Sequence, residues 1–106
     1  MIIVTYNQER NSLSVKGHAQ AGEFGKDLIC AAASILTHTL AENLRELESA
    51  GYLTEMTAEI RDGEAKFIAK PRNGYQAITE LSFHNIMMGY QILEQRNPEN
   101  ISVVRV

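Results

Sequence analysis

One cysteine in 106 residues cannot close a disulfide, and without a second one the chain has no C-x-x-C pair from which a structural zinc site starts. A lone thiol is expected to stay reduced, as it does in the cytoplasm. Basic residues are also few. Ten Lys and Arg against thirteen Asp and Glu leave a net charge of −3, and no two of the ten are adjacent, so binding to nucleic acid by phosphate neutralisation is not expected. No apolar run approaches the ~20 residues of a membrane span. Met1-Ile2-Ile3-Val4-Thr5-Tyr6 is too short for the apolar core of a signal peptide, and a cytoplasmic protein is expected. Neither glycine pattern that cradles phosphates, G-x-x-x-x-G-K-S/T or G-x-G-x-x-G, occurs. What remains is 44% apolar and 22% charged, with two Pro and seven Gly. Those are the proportions of a single domain over residues 1–106, which at this size buries roughly two-thirds of the surface its unfolded chain exposes.

Ile2 to Tyr6 is β-branched and aromatic, and Leu13 and Val15 alternate with Ser12, Ser14 and Lys16 after a polar turn, so the first two strands are expected to pair as a hairpin. The glycine-containing stretch from Gly17 to Lys26 has no period. A helix is expected from Asp27, its N-cap, to about Ser49, with the apolar stripe Ile29, Ala33, Leu36, Leu40, Leu44 and Leu47 and with Gly51 in the C′ position. Leu53 to Arg61 and Glu64 to Lys70 read as strands joined at Asp62-Gly63 by a two-residue type I′ turn. Asn73 and Gln76 suggest an N-cap and its N3 partner for a second helix to about Arg96, and Pro98 precedes a last strand, Ile101 to Val106. The order ββαββαβ fits a two-layer α+β domain, a mixed five-stranded sheet with both helices on one face.

The second helix carries two apolar stripes. Ile78, Leu81, Met88 and Ile92 form one; Phe83, Met87, Tyr90 and Leu93 lie nearly opposite. One covers the sheet and the other calls for a partner, so a helix-mediated homodimer is expected, with Met87 and Tyr90 as the positions to test and Gly89 permitting close helix approach.

The chemistry lies between Gly17 and Ser34. With Asp27 as N-cap, Cys30 would stand at N3, where free amides and the positive end of the helix dipole favour thiolate over thiol. On the wheel it lies off the apolar stripe, in line with Ser34, Thr37 and Ala41, small residues that leave room for an extended chain. Cys30 then either packs as a small hydrophobe or serves as a nucleophile. His18, twelve residues earlier, can be an ordinary strand-end histidine or the general base that a thiol requires. Asp27 can cap the helix or orient His18. Gly22-Glu23-Phe24-Gly25 can be a plain connection or a lid. His38 and His84 carry no second signal, and His18, Asp27 and Cys30 lack the fourth ligand of a zinc site, so no metal or cofactor is expected.

The run G-H-A followed by G-E-F-G-K-D-L-I-C-A-A-A-S, here within Gly17 to Ser34, resembles the signature of the bacterial ribosomal-processing cysteine proteases, often abbreviated Prp. The segment Asn97-Pro98-Glu99-Asn100-Ile101 and the length agree with that family. The resemblance implies a homodimeric cysteine endopeptidase that removes a short hydrophobic N-terminal extension, after an aromatic residue, from the precursor of bacterial large-subunit ribosomal protein twenty-seven. It also implies His18 and Cys30 as the catalytic pair, Asp27 as a supporting acid, Gly22 to Gly25 as a loop over the substrate and Ser34 in a supporting role. The alternative is a noncatalytic, ribosome-associated interaction module.

Overall fold

The computed structural model describes residues 1–18 and 24–106, with side chains described from residue 28 onward in the first helix. Five strands and two helices follow one another as β1 (Ile2–Asn7), β2 (Ser12–Lys16), α1 (Phe24–Ser49), β3 (Leu53–Arg61), β4 (Glu64–Pro71), α2 (Gln76–Arg96) and β5 (Ile101–Arg105). The sheet order is β3-β4-β2-β1-β5, antiparallel throughout except for the β1–β5 pair, so the expected mixed α+β sheet is present. Two parallel crossovers, β2-α1-β3 and β4-α2-β5, each pass over one or two intervening strands. That arrangement sets α1 and α2 antiparallel to each other.

Alternation decides which side of the sheet is inside. Ile2, Val4, Tyr6, Leu13, Ala65, Phe67, Ala69 and Ile101 are buried under the helices, while Thr5, Ser14, Lys66 and Lys70 occupy the opposite face. From α1 come Ile29, Ala33, Leu40, Leu44 and Leu47, with Leu36 partly buried beside them, the stripe expected from its period. A fully buried Leu such as Leu40 or Leu44 contributes about 2 kcal/mol, enough for α1 to be held by tertiary packing rather than by propensity. The helix closes as expected: Gly51 is left-handed (φ 81°), the Tyr52 amide donates to the Leu47 carbonyl (3.0 Å) and the Gly51 amide to that of Glu48 (3.0 Å). At the far edge of the sheet the Glu94 carboxylate accepts the Val103 amide at 2.7 Å, which caps part of the exposed edge of β5.

Four expectations need correction. The helix starts at Phe24, so Asp27 is its fourth residue and not its N-cap, and Cys30 is its seventh, beyond the first turn. One glycine, Gly25, costs a helix about 1 kcal/mol, a penalty that a 26-residue helix with a buried stripe absorbs. Asn73 does not cap α2. The N-cap is Tyr75, without a side-chain bond, while Gln76 reaches back to the Gly74 amide (2.8 Å) and to Asn73 (3.3 Å). The Asp62-Gly63 turn is present, but only Gly63 (φ 73°) is left-handed, so it is not the type I′ turn, which needs both central residues there. Finally, Phe83, Met87 and Tyr90 face inward and are fully buried, so they cannot be the stripe turned to a partner. The free stripe is Ile78, Leu81, Met88 and Ile92, each 43–54% exposed. The aromatic stripe goes inside because Phe and Tyr rings bury more surface than aliphatic side chains. The Tyr90 hydroxyl also finds a partner there, donating to Thr37 Oγ1 at 2.7 Å while Thr37 donates to the Ala33 carbonyl at 2.8 Å.

Candidate active site

Between the first half of α1 and the β3–β4 hairpin lies a cleft of about 480 Å³. His18, at the end of β2, and Cys30, Ser34, Thr37 and His38, on successive turns of α1, all line it, together with Ile60, Arg61, Asp62 and Gly63 of the hairpin. The thiol of Cys30 is partly buried and free. Ser34 and His38 are exposed, and Thr37 is buried beneath them. Small residues on this face keep the space open; a Leu at position 34 would fill it. A larger hollow, about 760 Å³, opens on the other face of the sheet over Ser12, Ser14, Lys66 and Lys70, and it contains neither a thiol nor an imidazole. Chemistry, not size, distinguishes the two.

His18 lies beside the hairpin tip. The Gly17 amide donates to the Gly63 carbonyl at 2.9 Å, and His18 Nε2 stands 4.0 Å from Asp62 Oδ1. A Cβ on Gly63 would come within 2.8 Å of His18 Nε2, so the ring lies directly against the tip and would have to shift for a side chain there. Behind the cleft liner Thr37 lies the phenol of Tyr90, hydrogen-bonded to it. Burial pushes it up to about 12, with the Thr37 hydrogen bond pulling the other way, so it is a neutral donor at any working pH.

The cleft thus brings together His18, Cys30 and Ser34 of the residues singled out in the sequence. Gly22 and Glu23 lie outside the described residues, and so do the side chains of Phe24 and Asp27, with Gly25 placed only as part of the helix. Two liners were not assigned to the site from the sequence, His38 and Asp62, whereas Thr37 was already placed in line with Cys30 and Ser34. His38 was legible, being two turns after Cys30 on the same helix. Asp62 was not, because a hairpin tip 44 residues away carries no local mark of its neighbour. Among the described residues no group of three His, Cys, Asp or Glu side chains could hold a metal, and no helix is long and apolar enough to cross a membrane.

A family model described as cysteine protease Prp matches residues 1–102. No curated protein matches the chain. Among solved structures, SMU.848 from Streptococcus mutans aligns with a TM-score of 0.67 at 24% identity, over 99% of this chain and 91% of that one. An essential ribosomal processing protease Prp from S. aureus, in complex with a covalently linked product peptide, aligns at 0.76 and 21% identity over the whole of both chains. The same S. aureus protein with a substrate peptide aligns at 0.72 and 20%, again over both whole chains. At these identities the three likenesses speak to the fold.

Proposed function

The chain belongs to the cysteine protease Prp family, and on that premise we propose that Cys30 is its nucleophile, that His18 is its general base and acid, and that its substrate is the precursor of bacterial large-subunit ribosomal protein twenty-seven. The observation that supports the reading is that His18, Cys30 and Ser34 all line one cleft between α1 and the β3–β4 hairpin. A noncatalytic module is set aside by membership of a protease family.

In this reading His18 takes the Cys30 proton as the thiolate attacks the scissile carbonyl, and a carbon–sulfur bond forms. The tetrahedral intermediate collapses, the carbon–nitrogen bond breaks and His18 gives its proton to the departing amine. Water, deprotonated by His18, then attacks the thioester; the acid product leaves and the thiol is restored. The amide of Cys30 itself lies inside the helix, where it serves the i to i−4 ladder, so any oxyanion donors from this helix belong to its first four residues. Asp27 remains a supporting acid, three positions before Cys30 and hence one turn away along α1. Gly22 to Gly25 and Ser34 are assigned to substrate binding, Phe24 and Gly25 from the first turn of α1 rather than from a loop.

Residues 1–106 act as one domain in the cytoplasm. Two copies associate through the helical layer, where Ile78, Leu81, Met88 and Ile92 of α2 stand exposed, as do Leu28 and Ile35 of α1. A peptide that spans the junction between the hydrophobic extension and the mature protein tests the reading. Wild type is expected to cut it once, after an aromatic residue, Cys30→Ala not at all, and His18→Ala several orders of magnitude more slowly, with all three chains equally folded. Turnover by Cys30→Ala would place the nucleophile elsewhere, and indifference to the junction sequence would overturn the substrate.

A further inference from the structure

The geometry points to the β3–β4 hairpin tip, through Asp62 and Gly63, as the element that positions His18 for proton transfer. This rests on the assignment of His18 and Cys30 as the reacting pair. Two separate observations direct the same ring nitrogen at the tip: Nε2 lies 4.0 Å from Asp62 Oδ1, and it occupies the space that a side chain on Gly63 would need. A third ties the backbones together, the 2.9 Å hydrogen bond from the Gly17 amide to the Gly63 carbonyl, directly before His18.

A negative charge 4.0 Å from Nε2 favours the proton on that nitrogen, and the Nδ1 lone pair is then the one left to receive the thiol proton. Once that proton has moved, the negative charge of Asp62 stabilises the imidazolium that stands beside the thiolate. The other charged or titratable groups along the cleft are Arg61 and Glu64 from the hairpin and Cys30 and His38 from α1. Among the described residues only Asp62 brings a carboxylate within 4.0 Å of the His18 ring. Asp62 is a positioning residue, since it acts through His18. Its side chain is fully exposed, so water weakens its charge and the effect is modest in size.

Asp62→Asn is the clean test, because Asn has the same shape, is equally at home in a tight turn, and removes only the charge. The charge at 4 Å in water predicts about a five-fold lower kcat/KM against the junction peptide, carried by kcat with KM unchanged. The pH profile of kcat/KM is expected to differ from that of wild type, since the charge beside the imidazole is gone. Asp62→Glu should recover most of the rate. In 1 M salt wild type and Asp62→Asn should converge, as screening removes what the substitution removes. A pH profile of Asp62→Asn that superimposes on wild type, while His18→Ala is inactive, would overturn the role of Asp62 and leave the pair intact. Wild-type rates in His18→Ala would instead overturn the pair on which the inference rests. A lower rate in Asp62→Asn accompanied by a lower melting temperature would make Asp62 a structural turn residue and defeat the proposal.

Discussion

Each helix has a face that the sheet does not cover, and the two faces are built from opposite materials. On α1 the part beside the cleft is Cys30, Ser34, Thr37 and His38, short or polar groups, with the exposed Leu28 and Ile35 elsewhere on the helix. On α2 it is Ile78, Leu81, Met88 and Ile92, large and apolar, with about half of each in solvent. Small residues beside a sheet leave volume for a chain to enter. Large apolar residues with no cover leave a surface whose removal from water yields about 25 cal/mol per Å². The first face therefore suits a transient substrate, and the second suits a lasting neighbour.

The strongest test of this contrast is a pair of adjacent substitutions. Met87→Arg places an unpaired charge in the core and should cost more than about 4 kcal/mol, seen as loss of the cooperative melt. Met88→Arg, one residue on, should leave the monomer stable to within about 0.5 kcal/mol but convert the sedimenting species from dimer to monomer. A wild-type chain that sediments as a monomer at micromolar concentration would remove the contrast. The cleft can be closed in the same spirit. Ser34→Phe should lower peptide turnover by about 100-fold, roughly 2.7 kcal/mol in the barrier, without changing the melting temperature; unchanged turnover would show that substrate does not pass over α1.

Two smaller effects probe where the helices meet. A Cβ on Gly89 would lie 2.5 Å from Leu36 Cδ2, so Gly89→Ala should be destabilising by about 1 kcal/mol, the crowding outweighing the better helix propensity of alanine. A gain in stability on chemical unfolding would mean that Leu36 swings aside freely. Tyr90 ionises at about 12 in the folded chain against 10.0 as its ordinary value. Between those values the unfolded chain has given up a proton that the native state retains, so stability should fall as pH rises through the window. Urea midpoints taken at pH 9 and pH 11 should show a fall about 1 kcal/mol larger in wild type than in Tyr90→Phe; parallel falls would show that Tyr90 is not the group responsible.

Much of this was local enough to be legible. The α1 stripe follows from 3.6-residue spacing, and Gly51 ends the helix because a left-handed residue is needed there. Asp62-Gly63 turns the chain because glycine enters the positive-φ region freely. The cluster of His18, Cys30 and Ser34 was legible too, since these residues lie within seventeen positions of one another and across a single strand-to-helix junction. The start of α1 was misjudged because a glycine at position 25 reads as a breaker, while the energy that extends the helix comes from burial further along it. The two stripes of α2 were equally visible, yet a helical wheel does not say which one the sheet will take.

By itself, then, the sequence determined the order of elements, the two-layer class, the buried stripe of α1 and three residues that line one cleft, because each depends on neighbours a few positions apart. Only the tertiary structure decided the strand order, the inward turn of Phe83, Met87 and Tyr90, and the arrival of Asp62 at His18. Those depend on contacts between distant segments, where the larger buried area, a partner for the Tyr90 hydroxyl and the reach of a hairpin outweigh any local preference.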